Sequence, residues 1–71
     1  MFSYLLINTE MPWKNEVKEE LSRFEFTVDE INDVGSSDIL AKIIVDSPAA
    51  LKNFICQQLN RVIGIKKIIV L

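Results

Sequence analysis

Apolar residues fall along this chain in short groups whose spacing switches between two periods. Phe2–Ile7 is a run rich in aromatic and branched side chains, too short for a globular helix and followed by polar Asn8 and Thr9. It reads as a first, buried strand. From Pro12 the period lengthens: Trp13, Val17, Leu21 and Phe24 recur at i, i+4, i+8 and i+11, with Lys14, Glu16, Lys18 and Glu19 between them. That spacing predicts an amphipathic helix with Pro12 in its first turn. Thr27–Asp33 is mixed in polarity and holds two large apolar residues, the pattern of an edge strand, and Val34–Ser37 follows as a turn. Asp38–Val45 is the clearest strand, with Lys42 the single charge inside a branched run. Ser47 and Pro48 form a helix start, because the Ser47 hydroxyl can accept from a free first-turn amide while Pro48 sits where no amide is needed. Leu51, Phe54, Ile55, Leu59 and Val62 make the stripe of that second helix, with Gly64 placed to stop it. Ile65–Leu71 closes the chain as a fourth strand.

The order strand, helix, strand, strand, helix, strand predicts an α+β, ferredoxin-like β-α-β-β-α-β domain spanning residues 1–71, an antiparallel four-stranded sheet with two helices on one face. Right-handed crossovers put both helices on the same side and leave the other face bare. On the first, third and fourth strands both alternating sets are apolar, so the pattern does not say which set meets the helices. Tyr4, Leu6, Ile39, Ala41, Ile43 and Ile69 are the expected dimer surface. An uncovered face of that character exceeds the patch of a few hundred Å² that a soluble monomer tolerates.

Composition sharpens this expectation. The chain has 71 residues, 49% of them hydrophobic, and chains of this size bury only about 60% of their unfolded surface. Domains so small lean on disulfides, metals or partner subunits. One cysteine and no histidine exclude an internal disulfide and leave no zinc, haem or iron-sulfur site, so no cofactor is expected and self-association remains. The expected compartment is the cytoplasm, from the cysteine usage and the lack of signal-peptide features. Eight basic against ten acidic residues, a net charge of -2, argue against direct nucleic-acid binding. No apolar run reaches the roughly 20 residues that span a bilayer.

Enzyme chemistry finds little material. Without histidine, acid-base work would fall to Glu10, Asp29, Glu30, Asp33, Asp38 and Asp46, which lie at strand ends or on the edge strand and read as solvated charge. Cys56 lies mid-helix with no base in view. No enzyme activity is expected.

One segment carries more. Gly35-Ser36-Ser37-Asp38, the apolar strand that follows, Asp46, the Leu51-x-x-Phe54-Ile55 helix and Gly64-Ile65 resemble the ligand-binding (RAM) domain of the Lrp/AsnC family of transcription regulators. The similarity runs from Phe2 to Ile65 and takes in Glu16-Val17. It implies a subunit that dimerises through its sheet, builds larger oligomers, and binds amino acids between dimers near the Gly-x-x-Asp turn. Most relatives carry an N-terminal helix-turn-helix; here the first strand opens the chain, so the resemblance implies action on transcription through a helix-turn-helix relative. Ser37 stands where the family has tyrosine, and Ile68 and Val70 where it has threonines. Two readings of Gly35, Ser36, Ser37 and Asp38 follow: turn amides, hydroxyls and a carboxylate that hold a small zwitterion, or a turn permitted by Gly35 and closed by Asp38 accepting from turn amides. The corresponding functions are a small-molecule sensor module and a purely structural oligomerisation domain.

Overall fold

The computed structural model describes all residues, 1–71. The elements run β1 (Phe2–Thr9), α1 (Lys14–Ser22), β2 (Val28–Asp33), β3 (Asp38–Ile44), α2 (Pro48–Gln57), one 3₁₀ turn (Leu59–Arg61) and β4 (Ile65–Val70). The sheet order is β2-β3-β1-β4 with every neighbouring pair antiparallel, a ferredoxin-like α+β fold. No helix is long and apolar enough to cross a membrane.

Register shows which alternating set meets the helices. Leu5 and Ile7 of β1, Ile39, Ala41 and Ile43 of β3 and Val28 of β2 are buried in one cluster with Val17 and Leu21 of α1, Leu51 and Phe54 of α2, and Leu59. Both helices therefore pack on the same face. Phe24 closes that layer edge-on against Phe54, with ring centroids 5.2 Å apart. This corrects the expected dimer surface: Ile39, Ala41 and Ile43 have no exposed area and lie beneath the helices. Their alternates Leu40, Lys42 and Ile44 point the other way, because side chains reverse face at each strand position. The open face carries Phe2, Tyr4 and Leu6, paired across to Ile44, Lys42 and Leu40, and Ile69 beside Leu6. Phe2 is 63% and Tyr4 41% exposed, so this face is apolar and uncovered in the single chain. Lys42 is held there over the Phe2 ring, 4.2 Å from its centroid, with Asp29 and Glu30 of the edge strand each 3.6 Å from its Nζ.

Local details differ from the sequence pattern at the end of β1, which continues through Asn8 and Thr9, and in both helices. Helix α1 starts at Lys14 with Trp13 as its N-cap, so Pro12 lies ahead of the helix, not in its first turn. Helix α2 begins as expected, with the Ser47 hydroxyl accepting from the Ala50 amide at 3.1 Å and Pro48 at the first position, but it ends at Gln57. The stripe residue Leu59 is buried from the 3₁₀ turn, and Gly64 lies beyond, in the bend into β4. Its left-handed φ of +101° is one reason for glycine there. The second is contact: a Cβ at Gly64 would fall 2.5 Å from the Trp13 Cβ and 3.0 Å from Val17 Cγ2. The Gly64 carbonyl also accepts from the Glu10 amide at 2.7 Å, tying the end of β1 to the start of β4.

Candidate functional site

The residues singled out as Gly35, Ser36, Ser37 and Asp38 sit at one end of the sheet, in the β2–β3 turn. The end of β1 lies against them because β1 and β3 pair up to Asn8 and Asp38. Thr9 donates twice to the Ser37 carbonyl, from its amide at 2.7 Å and its hydroxyl at 2.8 Å. The Asn8 side-chain amide donates to Asp38 Oδ1 at 2.8 Å and reaches Ser37 Oγ at 3.4 Å. The Val34 amide closes the turn on the Asp38 carbonyl at 3.2 Å.

Helix α1 fixes the turn from its other side. Lys14 Nζ donates to the Gly35 carbonyl and lies 3.2 Å from Asp33 Oδ1, while Lys18 Nζ lies 2.9 Å from Asp33 Oδ2. Hydrogen bonds from Lys18 first and Lys14 second hold the Asp33 carboxyl below its ordinary range. Gly35 is not in the left-handed region, so conformational freedom is not its reason. A Cβ there would come 3.3 Å from Asp38 Oδ2, so glycine lets the backbone lie close to that carboxylate.

Three donors and one acceptor are left over. The amides of Gly35, Ser36 and Ser37 donate to nothing within the chain, and Asp38 Oδ2 accepts nothing. Asp38 is thus partnered by the Asn8 side chain and not by turn amides. Lys67 pairs opposite Asn8 on the same open face and is exposed. This sheet end offers amide N–H groups and an ammonium to an anionic group, and a carboxylate oxygen to a cationic one. Asn8, Thr9, Lys14 and Lys18 belong to it and could not be assigned to it from sequence, the polar change after Ile7 marking Asn8 and Thr9 alone; Asp33, expected as a solvated charge, is held there by both lysines. The other carboxylates do not converge. Asp29 and Glu30 pair with Lys42, Cys56 is exposed on α2, and no three His, Cys, Asp or Glu side chains cluster as metal ligands.

The chain is similar in fold to FFRP-DM1. That crystal structure superposes with a TM-score of 0.84 at 22% sequence identity, covering 100% of this chain and 96% of the other. A hypothetical protein from Pyrococcus horikoshii superposes equally, with a TM-score of 0.84 and 22% identity, covering 100% of this chain and 87% of that one. No family model and no curated protein matches the sequence. At this level of identity the likeness to FFRP-DM1 is one of fold, and it spans the two helices, the sheet and the turn that carries the candidate site.

Proposed function

We propose that this chain is a non-enzymatic module that pairs with a second copy through its open sheet face and binds a small zwitterion, such as an amino acid, at the Gly35–Asp38 turn. The observation that carries the reading is the open face itself. Phe2, Tyr4, Leu6, Leu40, Ile44 and Ile69 form a continuous apolar surface on a domain too small to bury it alone. A second copy is the fitting occupant, because one self-complementary patch satisfies both partners of a two-fold pair. Lys42, the charge between Leu40 and Ile44 on that face, brings Asp29 and Glu30 with it, so stacking two faces does not strand its ammonium; Lys67 lies at the end of the face, beside the Gly35–Asp38 turn.

The ligand half rests on the unused amides of Gly35, Ser36 and Ser37 and on Asp38 Oδ2. FFRP-DM1 is by its name a feast/famine regulatory protein, which supports a place in transcription regulation. With a net charge of -2 the chain would act there through a DNA-binding helix-turn-helix partner of Lrp/AsnC type, in the cytoplasm. A second reading, an oligomerisation domain without a ligand, is favoured by one observation: Asn8 already occupies Asp38 Oδ1.

Light scattering coupled to size exclusion, with and without the twenty amino acids, separates the two. An assembly that grows or tightens with one amino acid, and loses that response in Asp38→Ala, supports the sensor. An assembly indifferent to all of them leaves the oligomerisation domain, and a monomer under every condition removes both.

A further inference from the structure

On the helix layer, opposite the open sheet face, a groove of about 550 Å³ runs between α1 and the 3₁₀ turn. Its apolar lining is Trp13, Phe24, Val62 and Ile63, of which Trp13 is 42% and Ile63 72% exposed. The walls carry opposite charge. Glu16 stands on the α1 side and Arg61 on the other, and neither makes an ion pair within the chain. Arg23, also on the rim, is by contrast committed to Glu20 at 2.9 Å and Glu19 at 3.8 Å.

We propose that this groove docks an amphipathic helix of a partner protein, with a basic flank on the Glu16 wall and an acidic flank on the Arg61 wall. Shape favours a helix. The groove follows α1 along its nine residues, about 13 Å at 1.5 Å per residue, so one wall presents the ridges of a helix, while the other is built from the 3₁₀ turn and the Val62–Ile63 segment that follows it. An extended peptide that added as a strand would need an unpaired strand edge, and no strand lines the groove. A small molecule would keep much of its surface in water between such exposed walls, whereas small-molecule sites bury most of their ligand. The unpaired charges set the flanks, since a helix that ignored them would leave both without a partner. The site is independent of the sheet pairing proposed above, because it lies on the other layer and stays open when two sheet faces meet.

Trp13 is the only tryptophan, so its emission reports occupancy. The probes are two synthetic helical peptides of roughly 18 residues with the same leucine stripe, one with a lysine flank and a glutamate flank, the other with glutamate on both. A scrambled peptide lacking the stripe is the control. The mixed peptide is expected to shift Trp13 emission saturably and to bind wild type roughly tenfold more tightly than the all-acidic one. Glu16→Lys leaves a basic unpaired charge on each wall, since Glu19 and Glu20 stay committed to Arg23, and should reverse that preference, while Asp46→Lys, the same charge change outside the groove, should not. Ile63→Asp should abolish the emission change and leave the oligomeric state untouched. The proposal is overturned if the mixed peptide does not bind, if the scrambled peptide binds equally, if Glu16→Lys keeps the wild-type preference, or if only small zwitterions move Trp13 emission.

Discussion

The two glycines make opposite predictions for the same substitution. Gly64→Ala places a methyl group in a backbone with φ +101°, which costs an L-residue about 1–2 kcal/mol. The new Cβ would also sit 2.5 Å from Trp13 Cβ and 3.0 Å from Val17 Cγ2. Trp13 caps α1 and Val17 is fully buried, so neither yields without moving the helix, and overpacking of this kind adds about 1–3 kcal/mol. The sum, about 2–5 kcal/mol, compares with a total of about 4–10 kcal/mol expected for a domain of this length. Gly35→Ala meets only the movable Asp38 carboxylate at 3.3 Å, in a backbone any residue adopts. The stiffer unfolded chain gains about 0.4–1 kcal/mol for the folded state, so the net change should stay within about 0.5 kcal/mol of zero. Urea unfolding followed by circular dichroism, at one fixed protein concentration, measures both. With a slope near 1 kcal/mol per M, the Gly64→Ala midpoint should fall by about 2 M or more, while that of Gly35→Ala barely moves. Equal midpoints for the two variants would refute the packing argument at Gly64.

Three further outcomes follow from single contacts. Ser47→Ala removes the acceptor for the Ala50 amide and should lower stability by about 1 kcal/mol in the same urea assay, with Ser47→Asp restoring most of it. Asn8→Ala leaves Asp38 and Ser37 without their side-chain donor and should cost about 1 kcal/mol, while freeing Asp38 Oδ1 for a ligand; affinity for any amino acid that binds should not fall. Because the Asp33 carboxyl is held low by Lys18 and Lys14, its contribution is present above the ordinary carboxylate range and is lost as pH falls through its folded value. The melting-temperature gap between wild type and Asp33→Asn should therefore shrink from about pH 6 to about pH 2, and a constant gap would show that the pair adds nothing.

The element order was legible because two apolar helical stripes alternate with short apolar runs set apart by Asn8-Thr9, Gly35-Ser36 and Gly64, although β1 itself continues through Asn8 and Thr9. The facing of the sheet was harder, since β1 and β3 are apolar on both alternating sets. Lys42 held the information. It shares a face with Leu40 and Ile44, so the set Ile39, Ala41 and Ile43 had to turn inward. Buried Ser3 and Thr9 worked against this signal by placing polar groups on the helix-facing set of β1, where Thr9 is satisfied by the Ser37 carbonyl 28 residues away. The end of α2 was misplaced for a different reason. The apolar spacing continues through Leu59 and Val62, but the α-helix stops at Gln57, Gln58 caps it on the Phe54 carbonyl, and Leu59 reaches the core from a tighter turn.

In the candidate site, the turn could be found from Gly35 and Asp38 in sequence, whereas Asn8, Thr9, Lys14 and Lys18 could not. Their role depends on the antiparallel register of β1 with β3 and on the crossing of α1 over the end of β2, neither of which local spacing encodes.

Pairing through the open sheet face is read out by sedimentation velocity at micromolar concentration on wild type and Leu40→Glu. Leu40 lies on that face opposite Leu6 and is half-buried, so the variant should keep its helices and sheet by circular dichroism. Wild type should sediment as a dimer or larger assembly and Leu40→Glu as a folded monomer; a wild-type monomer, or a Leu40→Glu assembly unchanged in size, would rule the pairing out.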